Sequence, residues 1–208
     1  MSARLSWITE NAEWVMEYNA RHSAPKNQSR MEDGELSPGQ LLRYCLNHKH
    51  FSVFEMANAC LILNTTRDIS AQIIRHRSFT FQEFSQRYAS VPKLTQPEMR
   101  MQATDNRQSS TDVTEQGNIV EGALATAEVA YHMLLDRGVA RETARRILPM
   151  CSPTTISMNG TIRSWIHYIE LRTKPDTQKE HRDLALQCRS ILSHHLPVLA
   201  NELGWNED

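Results

Sequence analysis

Apolar positions recur at helical spacing in the segment that precedes Gly138. They stand mostly three or four residues apart, which places them on one face of an α-helix. The positions are Val120, Leu124, Ala127, Tyr131, Leu134 and Leu135. Glu121 and Glu128 belong to the opposite, polar face. Because glycine commonly ends a helix, the pattern predicts an amphipathic helix that ends at Gly138.

Capping residues and prolines mark the boundaries of other helices. Ser37 and Pro38, followed by Gln40, are typical of a helix start, and this helix is predicted to run to about Asn47. Further helices are predicted from Asp68 to Arg77, from Arg141 to Leu148, from Ile162 to Leu171 and from Gln178 to Leu203. Pro197 predicts a kink in the last of them.

Two segments favour β-strands. The stretch from Ser52 to Thr66 is mostly apolar and partly β-branched, which is typical of a buried strand, although residues 56–59 also suit a helix. The stretch from Thr154 to Met158 is β-prone. Between Ala89 and Gly117 the chain is polar, so a flexible or partner-facing insertion is expected there. The inventory is mixed and rich in helices, with a few strands.

The composition narrows the class of protein. A chain of 208 residues fits one ordinary domain or at most two small ones, and 40% hydrophobic with 23% charged residues excludes a disordered or fibrous protein. A formal net charge of -1 gives no reason to expect nucleic acid or an anionic membrane as a partner. The longest apolar runs fall far short of the ~20 residues that span a bilayer, and the first residues lack the charged-then-apolar pattern of a leader, so we expect neither a span nor a leader. We expect a cytoplasmic protein.

Cysteine and glycine spacing exclude several kinds of site. The four cysteines are scattered, as expected for buried thiols in a reducing compartment, and only Cys151 has a context that could present a nucleophile. No two of the seven glycines have G-x-G spacing. Gly34 with Gly39 and Gly117 with Gly122 have phosphate-loop spacing but lack the following Lys-Ser/Thr. A bound nucleotide must therefore have its phosphates held by side chains.

Arginines cluster at three places in this nearly neutral chain. The clusters are Arg75, His76, Arg77 and Arg87; Arg141, Glu142, Arg145 and Arg146; and Arg163, His167 and Arg172. On a helix, Glu142 could orient Arg145. Phenylalanines interleave the first cluster, and guanidinium groups beside apolar surface bind phosphate in a bidentate manner. We interpret the clusters as a pocket for a phosphorylated anion; the alternatives are solvated basic faces or a platform for single-stranded nucleic acid.

Two histidines raise the question of a metal. His48 and His50 form an H-x-H pair that could converge with His76, but no third ligand is defined by the spacing. We expect no metal site.

The first cluster carries a family resemblance. Arg75, His76 and Arg77, followed after seven residues by Ser85, resemble the RHR-x7-S motif of the flavin-dependent thymidylate synthases. Three more segments are similar to that family in the same order along the chain: His48 to Glu55 (HxHxSPFE-like), Arg141 to Arg145 with Leu148-Pro149 (REVAR…LP), and Arg163 to Arg172. Val53 stands in place of the usual proline, Thr161 where the family often has Asn, and His167 where Asn is frequent.

The resemblance implies a fold and a reaction. We expect one α/β (α+β) domain over residues 1–208, with a small, mostly antiparallel sheet flanked by several helices, assembled as a homotetramer. The implied activity is methylation of dUMP to dTMP, with tightly bound FAD, NADPH as reductant and 5,10-methylenetetrahydrofolate as carbon donor. The rival within enzymes is a thymidylate synthase that uses Cys151 as a covalent nucleophile.

The resemblance also implies roles for residues. The implied dUMP contacts are Gln72, Arg75, Glu83, Ser85, Gln86, Arg87, Arg145 and Arg172. Of these, Arg87 and Arg145 would bind the phosphate, and Arg172 would stabilise the anionic uracil and act in catalysis. The implied FAD contacts are Ser52, Arg75, His76, Arg77, Glu83, Thr161, Arg163 and His167. His50 would lie near the flavin ring and act in catalysis.

Overall fold

A four-stranded antiparallel sheet forms the centre of the fold. The structure, a computed structural model, describes residues 1–22, 24–36, 39–91 and 93–206. The strands are β1 (Ser2–Ile8), β2 (Asn58–Thr66), β3 (Thr80–Glu83), β4 (Arg100–Gln102), β5 (Ser110–Val113) and β6 (Pro153–Thr161). The helices are α1 (Ala12–Ala20), α2 (Pro25–Glu32), α3 (Gln40–Asn47), α4 (Arg67–Ile73), α5 (Gly117–Asp136), α6 (Arg141–Ala144), α7 (Ile162–Arg172), α8 (Lys179–His195) and α9 (Pro197–Glu202). Phe51–Glu55 and Arg145–Ile147 are short 3-10 helices.

The strand order is β1-β2-β6-β3, with β4 and β5 forming a separate hairpin. The long strands β2 and β6 pair along their whole lengths, so that Asn58 lies opposite Thr161 and Thr66 lies opposite Pro153. The edge strand β3 pairs with the other side of β6, where Glu83 lies opposite Ile156. The predicted mixed α/β fold with a small antiparallel sheet and several helices is confirmed.

Apolar side chains form two separate cores. The larger one lies between the sheet and the helices α7 and α8; Trp165 is wholly buried there, and its indole N–H donates to the Ala59 carbonyl over 3.0 Å. The smaller one joins Leu124 and Tyr131 of α5 to Leu94 and Ala144. The prediction of one domain over residues 1–208 stays a prediction.

The strongly periodic helices are confirmed. Helix α5 presents Leu124 and Tyr131 to the smaller core, and the chain leaves it through Gly138 at a φ of 79°. Helix α7 has nearly the predicted bounds. The last helix breaks completely at Pro197, which begins α9. The predicted helix start at Ser37 and Pro38 lies outside the described residues.

Other predicted elements were wrong in their bounds or missing. The strand predicted from Ser52 begins only at Asn58, because residues 51–55 form a 3-10 helix that buries Phe54 completely. Helix α4 ends at Ile73, four residues early, because the chain then makes successive turns. Strands β1 and β3 were not predicted, and the polar segment 89–117 contains the hairpin of β4 and β5.

Candidate active site

The turns between α4 and β3 expose two arginines and bury one histidine. Arg75 and Arg77 are exposed, whereas His76 is only 8% exposed. Among the residues that the structure describes, neither arginine has an ion pair or a side-chain hydrogen bond. Two unpaired guanidinium groups therefore flank an inward-pointing imidazole, an arrangement suited to an anionic ligand.

Phe79 anchors these turns to the sheet. Its ring packs edge-on against Trp165, with ring centroids 4.9 Å apart, and it lies directly over Gly160 of β6. A Cβ at position 160 would lie 2.5 Å from the Phe79 ring, so only glycine leaves room for it. Since Phe79 is buried in the core, it offers no exposed face on which a nucleic-acid base could stack.

His76 is held against Arg172 of α7. The Arg172 Nε–H donates to His76 Nε2 over 2.8 Å, so His76 carries its own proton on Nδ1. Burial, and then the charges of Arg172 and His167, lower the pKa of His76 from 6.5 to about 4. At neutral pH the imidazole is uncharged and acts as the acceptor that orients the guanidinium group of Arg172.

A second buried histidine was not predicted. His181 of α8 is completely buried, and burial, followed by Arg172 and His76, lowers its pKa to about 3. Its Nε2 lies 3.2 Å from the hydroxyl of Tyr168, and its Nδ1 lies 3.2 Å from Oε1 of Gln72. No spacing signal marks His181, because its partners come from distant parts of the chain.

A cavity of about 540 Å³ opens between the 3-10 helix at residues 51–55 and α7. It is lined by Phe51, Glu55, Ser78, Arg163, Ser164, Ile166, His167 and Glu170. Its volume lies in the range of roughly 300–1,000 Å³ that is usual for ligand pockets. Arg163 and His167, both predicted to contact a cofactor, thus face one cavity, where Arg163 forms an ion pair with Glu55.

Three other predicted site residues either cap the cavity's helix or neighbour a cavity-lining residue in the chain. The hydroxyl oxygen of Thr161 accepts the backbone N–H of Ser164 and so caps the start of α7. His50 and Ser52 are exposed on either side of the cavity-lining Phe51. The Thr161 side chain has a structural use that the family pattern does not indicate.

Glu83 is fixed at the end of β3 by three donors. Its Oε1 forms an ion pair with Arg67 at 2.7 Å and accepts the hydroxyls of Ser70 at 2.5 Å and Thr154 at 2.9 Å. These partners were not predicted, since they come from α4 and β6. Among the described residues, no hydrogen bond is made to Oε2 of Glu83, so this oxygen can accept one from a ligand.

The segment 85–88 forms a single turn docked against α6. The carbonyl of Ser85 accepts the N–H groups of Tyr88 and Ala89. Gln86 is only 6% exposed, and its buried Nε2 finds no hydrogen-bond acceptor within the part of the chain that the structure describes. An unsatisfied buried donor at this place calls for an acceptor from a ligand or another subunit.

Glu142 pairs with Arg87 and not with Arg145. The Arg87 Nη2 lies 3.1 Å from Glu142 Oε2, which corrects the expectation that Glu142 orients Arg145. Arg145 is half-buried, and its side chain has no partner among the described residues. Arg87 thus contacts α6 through Glu142, and Arg145 directly follows α6 in the chain, but neither contacts Arg172 among the described residues.

The remaining candidates for chemistry are less favoured. Burial raises the pKa of the Cys151 thiol above 9.0, so the thiolate needed for nucleophilic attack is disfavoured. Within the described ranges, no three His, Cys, Asp or Glu side chains form a group that could hold a metal ion. Among these same residues, no helix has the length and apolar character needed to cross a membrane.

The chain is similar to known proteins along nearly its whole length. Residues 3–198 match the protein family described as thymidylate synthase complementing protein. The probable flavin-dependent thymidylate synthase of Paramecium bursaria Chlorella virus 1 is 45% identical over 219 aligned residues, covering 99% of this chain and 100% of the relative. The flavin-dependent thymidylate synthase of Synechocystis sp. is 39% identical, covering 93% of this chain and 90% of the relative.

A solved structure has the same fold. The UMP/dUMP methylase PolB from Streptomyces cacaoi, bound with 5-Br dUMP, superposes with a TM-score of 0.81 over 98% of this chain and 94% of that chain, at 23% identity. The fold is mixed α/β, and the arginines that it exposes without partners suit an anionic ligand. The chain belongs to the thymidylate synthase complementing protein family, the flavin-dependent thymidylate synthases, and is an enzyme of the methyltransferase class. The resemblance stated from the motifs is thereby confirmed.

Proposed function

We propose that this chain methylates dUMP to dTMP, with FAD as cofactor, NADPH as reductant and 5,10-methylenetetrahydrofolate as carbon donor. The observation that carries the proposal is the junction of segment 85–88 with α6. There the buried Nε2 of Gln86 lacks an acceptor and the cation Arg145 lacks a counter-ion among the described residues. A nucleoside monophosphate supplies both, through its base carbonyls and its phosphate.

Substrate binding follows from the charges at this junction. Arg87 and Arg145 bind the phosphate of dUMP. The phosphate replaces Glu142 as the partner of Arg87 in an ion pair that is exposed. An exposed pair of this kind contributes only about 0–1 kcal/mol, so a phosphate displaces it readily. The free Oε2 of Glu83 accepts a hydrogen bond from the substrate, and the nucleotide is fixed at both ends.

Arg172 activates the uracil ring. A guanidinium group at the ring edge stabilises the negative charge that develops as C5 becomes nucleophilic. His76 keeps the Arg172 side chain in one orientation, and because His76 is neutral it adds no competing positive charge. No general-base triad is required, since orientation and charge stabilisation are what the protein supplies.

The residues around the cavity fit a flavin dinucleotide. Arg163 would hold a diphosphate, Phe51 offers an aromatic wall, and the exposed Arg75 and Arg77 lie in the turns that lead to Ser78 at the cavity. His50, next to Phe51, would lie beside the ring system. When bound, the flavin would supply the hydride and the folate the carbon that together become the methyl group.

A homotetramer explains two features of the single chain. Helix α5 exposes Ile119, Val129 and Met133, at 65%, 59% and 47% exposure, opposite the face that packs on the smaller core. Together with Gly122 and Thr126 these positions alternate by three and four residues, the spacing of a helix-packing seam. A second copy covers this seam, and assembly brings Arg172 to the Arg87 junction of another subunit, which the described chain alone does not do.

The absorbance spectrum of the purified protein tests the cofactor, and oxidation of its reduced flavin on addition of dUMP with methylenetetrahydrofolate tests the reaction. We expect an oxidised-flavin band and formation of dTMP. Cys151→Ala is the matched control for the rival mechanism and should retain most of the turnover. A colourless protein that binds oligonucleotides in a salt-sensitive manner would contradict the proposal, and loss of turnover in Cys151→Ala with flavin retained would favour the thiol mechanism.

A further inference from the structure

A continuous chain of side-chain hydrogen bonds leads from the β4–β5 hairpin to the substrate residue Gln72. Arg100 of β4 contacts both carboxylate oxygens of Glu180, at 2.7 and 2.8 Å. Gln178 Nε2 donates to Glu180 over 3.0 Å, and Gln72 Nε2 donates to Oε1 of Gln178 over 2.7 Å. His181 Nδ1 then meets Oε1 of Gln72 at 3.2 Å. The polar segment 89–117 is therefore attached to the candidate site.

The carboxylate of Glu180 fixes the direction of every hydrogen bond in this series. A carboxylate only accepts, so Gln178 must turn its amide nitrogen toward Glu180 and its oxygen toward Gln72. Gln72 must then donate to Gln178, which leaves its oxygen to accept the Nδ1–H of His181. His181 in turn accepts the hydroxyl of Tyr168. Reversal of one amide would break two bonds.

Arg100 keeps Glu180 in the accepting state. Burial alone would raise the pKa of Glu180, but the hydrogen bonds from Arg100, its own backbone and Gln178 outweigh burial and lower it. The side chain of Arg100 is only 11% exposed, and that of Glu180 is 22% exposed. The pair is thus partly shielded from water, where such contacts are stronger than on an open surface.

We propose that Arg100 and Glu180 are positioning residues for substrate recognition: they set which way the amide of Gln72 faces. This inference rests on the proposed function, in which Gln72 contacts dUMP. After its two bonds Gln72 retains one N–H and one oxygen lone pair, in a defined arrangement. Such a pair matches a pyrimidine edge, where an N–H stands next to a carbonyl. A reversed amide would present donor and acceptor in the wrong order.

The chain offers a matched control for this proposal. Glu98 also contacts Arg100, at 2.8 Å, but it has no bond to Gln178. Glu98→Gln and Glu180→Gln therefore remove the same charge from the same arginine. Only Glu180→Gln puts an amide, which both donates and accepts, at the position that sets the direction of the hydrogen bonds from residue 180 to Gln72.

The test is steady-state kinetics of the flavin-loaded full-length protein, with KM for dUMP, kcat, flavin content and melting temperature measured for both variants. Glu180→Gln should raise KM for dUMP about tenfold with little change in kcat, the effect of one lost oriented hydrogen bond in binding. Glu98→Gln should change it by less than about twofold. Arg100→Lys, a milder change that keeps the charge, should raise KM in the same direction.

A double variant distinguishes positioning from plain structural support. If Glu180 acts through Gln72, the KM of Glu180→Gln with Gln72→Ala should equal that of Gln72→Ala alone. Additive losses, or equal KM changes in Glu98→Gln and Glu180→Gln, would overturn the positioning role. So would a fall in melting temperature and kcat with KM unchanged. A wild-type protein that does not turn over dUMP would instead overturn the proposed function, and with it the dUMP contact of Gln72.

Discussion

The Arg172 Nε–H donates to Nε2 of His76 over 2.8 Å, and this bond joins two parts of the chain that lie 96 positions apart. His76 comes from the turns after α4, and Arg172 ends α7. Because His76 is buried and neutral, the bond orients the guanidinium group without neutralising its charge. The two best-marked motifs of the sequence therefore meet in one contact.

Arg172→Ala should leave flavin bound while turnover falls by about a hundredfold or more, because loss of charge stabilisation at a reacting centre has effects of this size. Flavin absorbance per protein and dTMP formation measure the two quantities separately. Lys174→Ala, an exposed change two residues further on, is the control and should keep turnover near the wild-type rate. Unchanged turnover in Arg172→Ala would remove its activating role.

Acid should destabilise the fold through His76 and His181. Their folded-state pKa values, about 4 and about 3, lie below the ordinary 6.5, so the unfolded chain binds protons first as pH falls. The neutral histidines contribute fully to the free energy of unfolding above pH 6.5. This contribution is lost as the pH falls from there toward 4, by about 3 kcal/mol for His76 alone.

Urea unfolding between pH 7.5 and 5 measures this loss above the range in which carboxylates titrate. His76→Asn should show a shallower dependence on pH, whereas His132→Gln, at an exposed histidine, should keep the wild-type slope. A free energy of unfolding that stays constant between pH 7 and 5 would show that neither buried histidine behaves as described.

Arg87→Lys should weaken dUMP binding by about tenfold, because a single ammonium group replaces a planar guanidinium fork that can hold a phosphate with two bonds. Calorimetric titration with dUMP measures the change. Arg137→Lys, at an exposed arginine that follows α5, is the matched control and should bind dUMP with wild-type affinity. Equal affinity of Arg87→Lys and the wild type would remove Arg87 from the phosphate site.

Gly160→Ala should lower the free energy of unfolding by about 1–3 kcal/mol, the usual cost of overpacking a core. The new Cβ would lie 2.5 Å from the Phe79 ring, which must move and take the neighbouring turns with it. In a Phe79→Leu background, Gly160→Ala should lower the free energy of unfolding by less. A double-mutant cycle measured by chemical denaturation would detect this difference. Additive losses in the cycle would show that the ring is not what requires glycine.

Val129→Lys should shift the protein toward smaller assemblies, because a charge on the exposed seam of α5 cannot be buried against a second copy without a partner. Sedimentation velocity gives the assembly state, and loss of turnover should accompany dissociation. Glu121→Lys, a charge change at another exposed position of α5 outside the seam, should leave the assembly intact. Assembly of Val129→Lys identical to that of the wild type would place the interface elsewhere.

The elements that periodicity could predict are those with one continuous buried face. Helix α5 has such a face, and α7 buries an apolar face between a capped start at Thr161 and a basic end at Arg172. Strand β1 escaped prediction because a register shift between Leu5 and Trp7 interrupts its alternation. The wrong strand start at Ser52 has a different cause, since a short apolar run around Phe54 suits a 3-10 turn as well as a strand.

The sequence likewise predicts some features of the candidate site and not others. Motif spacing could identify Arg75, His76 and Arg172, since their order along the chain is a family signature. It could not show that His76 faces Arg172, nor that Glu142 contacts Arg87, because both depend on how distant segments pack. His181 was invisible for the same reason: a buried histidine in an amphipathic helix carries no pattern of its own.

Helix α7 supplies residues both to the cavity and to the buried polar contacts of the two histidines. Arg163 and His167 face the cavity, while Tyr168 and Arg172 point into the polar contacts with His76 and His181. One residue inserted between Arg163 and Arg172 would rotate the two groups against each other by about 100°. The spacing between them is thus as constrained as the residues themselves. Differences in chain length should accumulate instead in the exposed turn between β4 and β5, where no such angular relation has to be kept.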